Sequence, residues 1–117
     1  MFVGAAGGEF GSLAYNSTKP PGPYTATGSH SALVSNRFSY VFGLEGPSLS
    51  VDTACSASLV ALEIACLSLQ SRACEGGALV GGVNTLLGPY GFLGTCCANM
   101  LAPDAHCKTF DAAAGIH

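Results

Sequence analysis

The sequence predicts an α/β fold built on a parallel sheet, and three features carry that prediction. Ser48-Leu49-Ser50-Val51-Asp52 alternates polar and apolar residues after the turn Gly46-Pro47, as a strand does. From Ala54 to about Arg72 there is no Gly or Pro, and Leu59, Val60, Leu62, Ile64, Leu67 and Leu69 cover most of a helical circumference. Ala78-Leu79-Val80-Gly81-Gly82-Val83 then reads as a central strand whose two glycines admit another backbone closely. Strand, buried helix, strand is the pattern of a parallel βαβ unit.

The remaining elements follow in order. Residues 2 to 6 read as a short buried strand running into a Gly-rich turn. The polar stretch Tyr15 to Tyr24, with Pro20, Pro21 and Pro23, reads as a surface loop. From about Ser29 to Phe42, Val34, Phe38, Val41 and Phe42 fall at helical spacing and Gly43 offers a stop, so an amphipathic helix is expected. Beyond Asn84 the chain turns through Gly88-Pro89, forms a short helix near Tyr90 to Cys97, and ends in the loop Ala102-Pro103-Asp104-Ala105.

Composition narrows the function classes. The chain has 117 residues, enough for one small domain, and 49% of them are apolar. Four Lys or Arg against seven Asp or Glu give a net charge of −3, and no basic stripe is present to neutralise phosphates, which argues against nucleic acid as a partner. Charged residues are only 9% of the chain, well below the roughly 25% of an ordinary domain, so much of the sequence expects burial. Every apolar run is broken before the roughly 18 residues of a membrane span. Met1 to Gly8 has neither the basic flank nor the sustained apolar segment of a secretory signal, and a cytoplasmic location is the expectation.

Cysteines stand at 55, 66, 74, 96, 97 and 107, with no Cys-x-x-Cys pair and no zinc-site spacing. They read as thiols in a reducing compartment. On one helix Cys55 and Cys66 would lie roughly 16 Å apart along the axis, too far for a disulfide. Cys66, Cys74 and the adjacent Cys96-Cys97 read as packing residues.

Cys55 differs from the others in its position, where a strand ends and a helix starts, with Thr53 available as a cap. The first turn of a helix carries unpaired N–H groups and a partial positive charge, which favours a thiolate, and its N–H groups can help hold a developing oxyanion. Residue type and position alone also fit a small buried hydrophobe.

The segment Gly46-Pro47-Ser48-Leu49-Ser50-Val51-Asp52-Thr53-Ala54-Cys55-Ser56-Ala57-Ser58-Leu59-Val60-Ala61-Leu62 resembles the active-site signature of β-ketoacyl synthase domains of type I polyketide and fatty acid synthases. The resemblance extends through Ala26-Thr27-Gly28, Ser35 to Phe42, Gly81-Gly82-Val83-Asn84, Met100 to Asp104 and Cys107 to Asp111. It implies a thiolase-like layered αβαβα fold, incomplete here, with residues 1–117 supplying most of one half. It also implies an acyltransferase in which Cys55 accepts an acyl chain from a carrier-protein thioester. That chain is then condensed with a decarboxylated malonyl unit to give a β-ketoacyl thioester.

The substrates would be carried on the phosphopantetheine arm of an acyl carrier protein, with no cofactor or metal bound directly, and the full-length enzyme would be a homodimer. Ala57 stands where many relatives carry Ser, a minor departure beside the sulfur. A thiolase or chalcone-type synthase is resembled less.

The family uses two histidines in Gly-containing motifs of the domain's second half, and neither motif occurs in this sequence. His30, His106 and His117 lie in other contexts and receive no catalytic role. The pattern departs after Ala114, so Gly115-Ile116-His117 look foreign to it. The expectation is a chain inactive alone, and the alternative reading is a truncated fragment acting at most as a dimerisation module. Glu63 reads as a helix-surface charge, Arg37 as an ion-pair or hydrogen-bond donor, and Gly81, Gly82 and Asn84 as close packing plus a turn. Tyr90, Phe92 and Met100 read as core or tunnel-lining residues.

Overall fold

A computed structural model describes residues 1–6 and 8–112. The departure at Gly115-Ile116-His117 lies outside the described residues. The chain divides into two units, Met1–Thr85 and Leu86–His117.

The first unit is a three-stranded parallel sheet carrying helices. Strand β1 spans Phe2–Ala6, and its run of small and apolar residues suits a position between two neighbours. Helix α1 (Glu9–Tyr15) and helix α2 (Thr25–Ser29) follow, separated by a stretch of turns and irregular chain that matches the expected loop. Sequence reading missed both helices. They have seven and five residues, too short for helical periodicity to register. His30, in an extended conformation, separates α2 from helix α3, which runs Leu33–Phe42, so the helix expected from Ser29 starts four residues later.

The stop at Gly43 is as expected. Gly43 takes the left-handed conformation at φ 60°, while Leu44 N–H donates to the Ser39 carbonyl and Gly43 N–H to that of Tyr40, a Schellman ending.

Strand β2 (Leu49–Val51) and strand β3 (Val80–Asn84) flank β1, in the order β2-β1-β3. Phe2 pairs with Leu49 on one side and Val80 on the other, and both pairings are parallel. The βαβ connection is therefore real, but it strides over β1. The apolar run 78–83, read as a central strand, lies at an edge of the described sheet and is largely exposed. Helix α4 (Ala57–Gln70) is the crossover, preceded by a 3-10 turn at Ala54–Ser56.

Helix α4 corrects a second expectation. Apolar all round, it reads as buried, yet only Ala57, Ala61 and Ala65 are buried, and Leu59, Leu62, Leu67 and Leu69 are exposed. Spacing of four residues puts the alanines on one stripe, and small side chains let the helix axis approach the sheet. Phe2, Ala61 and Ala65 form the core, with Val51, Ile64, Cys74 and Ala78 packed around them. Gly4 makes that approach possible: a Cβ there would lie 2.5 Å from the Ala57 carbonyl carbon.

In the second unit, helix α5 spans Tyr90–Cys97 as expected, and the described chain beyond it, residues 98–112, is loop and turn. An ion pair, Lys108 Nζ to Asp104 Oδ2 at 2.8 Å, joins residues four apart. Tyr90, Phe92 and Met100 are all exposed, so none is a core residue of this unit.

Candidate active site around Cys55

Because all three strands run parallel, their carboxyl ends lie together, and loops leaving that end are where α/β folds place reactive groups. The chain leaves β2 through Asp52 and Thr53 and enters the 3-10 turn that holds Cys55. Cys55 is exposed and borders a shallow cavity of about 340 Å³, whose lining includes Gly4, Ala57, Ser58, Gly82 and Asn84. Small side chains dominate that wall, so an incoming group meets little obstruction at the sulfur.

Close packing explains part of this wall. A Cβ on Gly82 would come within 2.7 Å of Ser58 Cβ, whereas one on Gly81 would meet nothing within 4 Å. Of the two glycines read as close-packed, only Gly82 is.

The turn itself is strained. Ala54, directly before the cysteine, has φ 54°, a left-handed conformation that costs a non-glycine residue free energy. Two sets of hydrogen bonds hold it. On one side Ala54 N–H donates to Asp52 Oδ1 at 3.0 Å. On the other, Ser56 Oγ–H donates to the Thr53 carbonyl at 2.9 Å, which leaves the Thr53 hydroxyl to donate to Ser56 Oγ, also at 2.9 Å.

Thr53 does occupy the cap position, but its hydroxyl makes no capping bond to the backbone, and the carboxylate of Asp52 takes that role. An Asp two residues before the bonded N–H is the sequence signature of an Asx turn, and it was legible in Asp52-Thr53-Ala54.

Cys66, Cys96, Cys97 and Cys107 are exposed rather than packed, Cys74 is half-buried against the core, and all six sulfurs are free. Arg37 is a hydrogen-bond donor as expected, Nη2 to the Thr27 carbonyl at 3.2 Å. Glu63 is exposed on α4. His30 is exposed and its Nδ1 accepts the Ala32 N–H at 3.3 Å; His106 is exposed in the second unit, and His117 lies outside the described residues. The Lys108 ammonium, followed by the His106 N–H, holds the Asp104 carboxyl below the usual carboxylate range. Among the described residues no three His, Cys, Asp or Glu side chains gather as a metal site, and no helix is long and apolar enough to cross a membrane.

Residues 1–115 match the family model of the β-ketoacyl synthase N-terminal domain. A non-reducing polyketide synthase of Stereocaulon alpinum is 45% identical over 114 residues, covering 97% of this chain and 4% of that protein. A mycocerosic acid synthase-like polyketide synthase of Mycolicibacterium smegmatis is 42% identical over the same length, covering 97% of this chain and 5% of its own. Among solved structures, the ketosynthase from module 6 of the bacillaene synthase of Bacillus subtilis superposes with a TM-score of 0.80 at 34% identity, over 97% of this chain and 18% of that one.

An oxazolomycin ketosynthase domain of Streptomyces albus gives 0.77 at 35% identity, over 93% of this chain and 19% of that one. The chain thus spans a small part of each relative, and the sheet with its crossover helix is a part of the thiolase-like ketosynthase fold. On the match of its sequence over nearly its full length, the chain belongs to the β-ketoacyl synthase family, within the ketosynthases of polyketide synthases.

Proposed function

We propose that Cys55 is the acyl-accepting nucleophile of a polyketide-type β-ketoacyl synthase. The observation that carries this reading is the exposed sulfur on a strained strand-to-helix turn, beside a cavity walled by small residues. In the first step the Cys55 thiolate attacks the carbonyl carbon of an acyl thioester on a carrier protein. A new C–S bond forms, the carrier's C–S bond breaks, and its phosphopantetheine thiolate leaves and takes a proton. A thiolate suits both halves of the cycle, since it attacks readily and leaves an enzyme thioester that remains electrophilic.

In the second step a carrier-bound malonyl group loses carbon dioxide, and the electron pair of the broken C–C bond becomes an enolate. Its carbon attacks the acyl-Cys55 carbonyl, the Cys55 thiolate is expelled, and a β-ketoacyl thioester remains on the carrier. His30 and His106 are assigned no part in either step. The partners on this reading are an acyl carrier protein, with substrates on its phosphopantetheine arm, and a second copy of the full-length enzyme; residues 1–117 are part of the N-terminal half of the domain.

The test is condensation by the native-length protein. Cys55→Ala is expected to abolish β-ketoacyl product, and Cys66→Ala to leave it. Product from Cys55→Ala at the unsubstituted rate would overturn the assignment.

A further inference from the structure

We propose that Asp52 is a positioning residue for Cys55, holding the left-handed turn at Ala54 that presents the sulfur to the cavity. This rests on the acyl-accepting role proposed above for Cys55.

An alanine at φ 54° persists only where its surroundings over-determine it, because relaxation to negative φ is favourable for any residue with a Cβ. The bond from Ala54 N–H to Asp52 Oδ1 fixes the peptide plane entering Ala54, and the Ser56–Thr53 clamp fixes the chain leaving it. Below the turn, Ala57 is buried against the sheet, so α4 cannot shift to absorb a change in Ala54. If the entry peptide is released, Cys55 is therefore the residue that moves. A nucleophile displaced by a fraction of an ångström to an ångström loses rate steeply, whereas its general accessibility hardly changes.

The function required of Asp52 is that of an acceptor oxygen, not of a charge. Three substitutions separate these. Asp52→Ala removes the acceptor, Asp52→Asn keeps one, and Ala54→Gly places at the strained position a residue that adopts positive φ without help.

The experiment measures the rate of acyl transfer to Cys55 from an acyl-pantetheine thioester in the native-length protein. In parallel, iodoacetamide labelling of Cys66 and the half-buried Cys74 serves as an internal reference read by peptide mass spectrometry. Expected is a loss of about tenfold or more in Asp52→Ala, a rate close to that of the unsubstituted protein in Asp52→Asn, and recovery of most of the loss in the Asp52→Ala, Ala54→Gly double variant. Labelling of Cys66 and Cys74 stays unchanged throughout.

An unchanged rate in Asp52→Ala, an equal loss in Asp52→Asn, or a double variant no better than the single one would each overturn the proposal. So would a rise in Cys74 labelling in Asp52→Ala, which would mean general loosening of the fold. Failure of the unsubstituted protein to acylate Cys55 at all would instead overturn the nucleophile assignment, a result visible before any Asp52 variant is made.

Discussion

Gly4 and Gly82 bring α4 down onto the sheet beneath Cys55, and a Cβ at Gly4 would be crowded by more atoms, and more closely, than one at Gly82. A Cβ on Gly4 meets backbone atoms of Ala57 and Ser58, whereas one on Gly82 meets the Ser58 Cβ. Gly4→Ala is accordingly expected to cost about 3 kcal/mol or more and Gly82→Ala nearer 1–2 kcal/mol, measured by urea denaturation. Removing Ser58 Cβ through Ser58→Gly should recover part of the second loss and none of the first.

At this scale Cys55 was legible as the candidate nucleophile from the string around it, and Gly82 from its place in a strand. The Asx-turn pattern Asp52-Thr53-Ala54 was legible, but the strain at Ala54 was not, because a left-handed alanine leaves no mark in composition, and Thr53, the residue directly before the turn, drew the capping role instead. The exposure of Cys66, Cys96 and Cys97 was also illegible, since cysteine's usual burial says nothing of whether a covering element is present.

Helix α3 is fastened by hydroxyls to β2 and to Ser48 directly before it. Ser35, fully buried, receives a hydrogen bond from Ser50 Oγ at 3.1 Å, its own N–H donates to Ser50 Oγ at 3.2 Å, and one helical turn later Ser39 Oγ donates to Ser48 Oγ at 2.9 Å. The helical i, i+4 spacing thus meets the i, i+2 spacing of one strand face. Ser35→Ala deprives the Ser50 hydroxyl of its acceptor and should destabilise the first unit by about 1–2 kcal/mol, read as a lower melting temperature.

In the second unit, Lys108→Met removes the main cause of the depressed Asp104 carboxyl, whose titration should move back up toward the usual carboxylate range by NMR. A depressed carboxyl favours the folded form above its unfolded value and loses that contribution as pH falls through the folded one. Because Asp104 is exposed, stability near neutral pH is expected to change little.

Strands and long helices were legible because alternation, Gly-Pro boundaries and the Gly43 stop are local signals. The order β2-β1-β3 was not, because nothing within residues 48–83 says that an earlier strand lies between its two ends. Nor was the buried stripe of α4, since Ala and Leu both count as apolar and only the close approach at Gly4 selects the alanines.

Among the described residues the buried hydrophobic ones are few: Phe2, Val3, Ala57, Ala61 and Ala65. Against them stand exposed faces of α3, where Phe38, Val41 and Phe42 border one apolar groove, and of α4, where Leu59 and Leu67 are 69% and 52% exposed. Each such side chain left in water forgoes about 1.5–3 kcal/mol, and a few together rival the net stability of a domain. Contiguous apolar surface of this kind associates. Expressed as these 117 residues alone, the chain should bind ANS and elute from size exclusion as concentration-dependent assemblies; a monomeric, ANS-silent species would contradict this. A discrete dimer would instead favour the pairing-module reading.

One sulfur among six is expected to carry the acyl group. The native-length protein, mixed with an acyl-pantetheine thioester and quenched in acid, is digested and mapped by mass spectrometry. The acyl mass is expected on the peptide containing Cys55, absent from those containing Cys66, Cys74, Cys96, Cys97 and Cys107 and lost in Cys55→Ala. Acyl groups spread over the exposed cysteines, or confined to any one but Cys55, would contradict it.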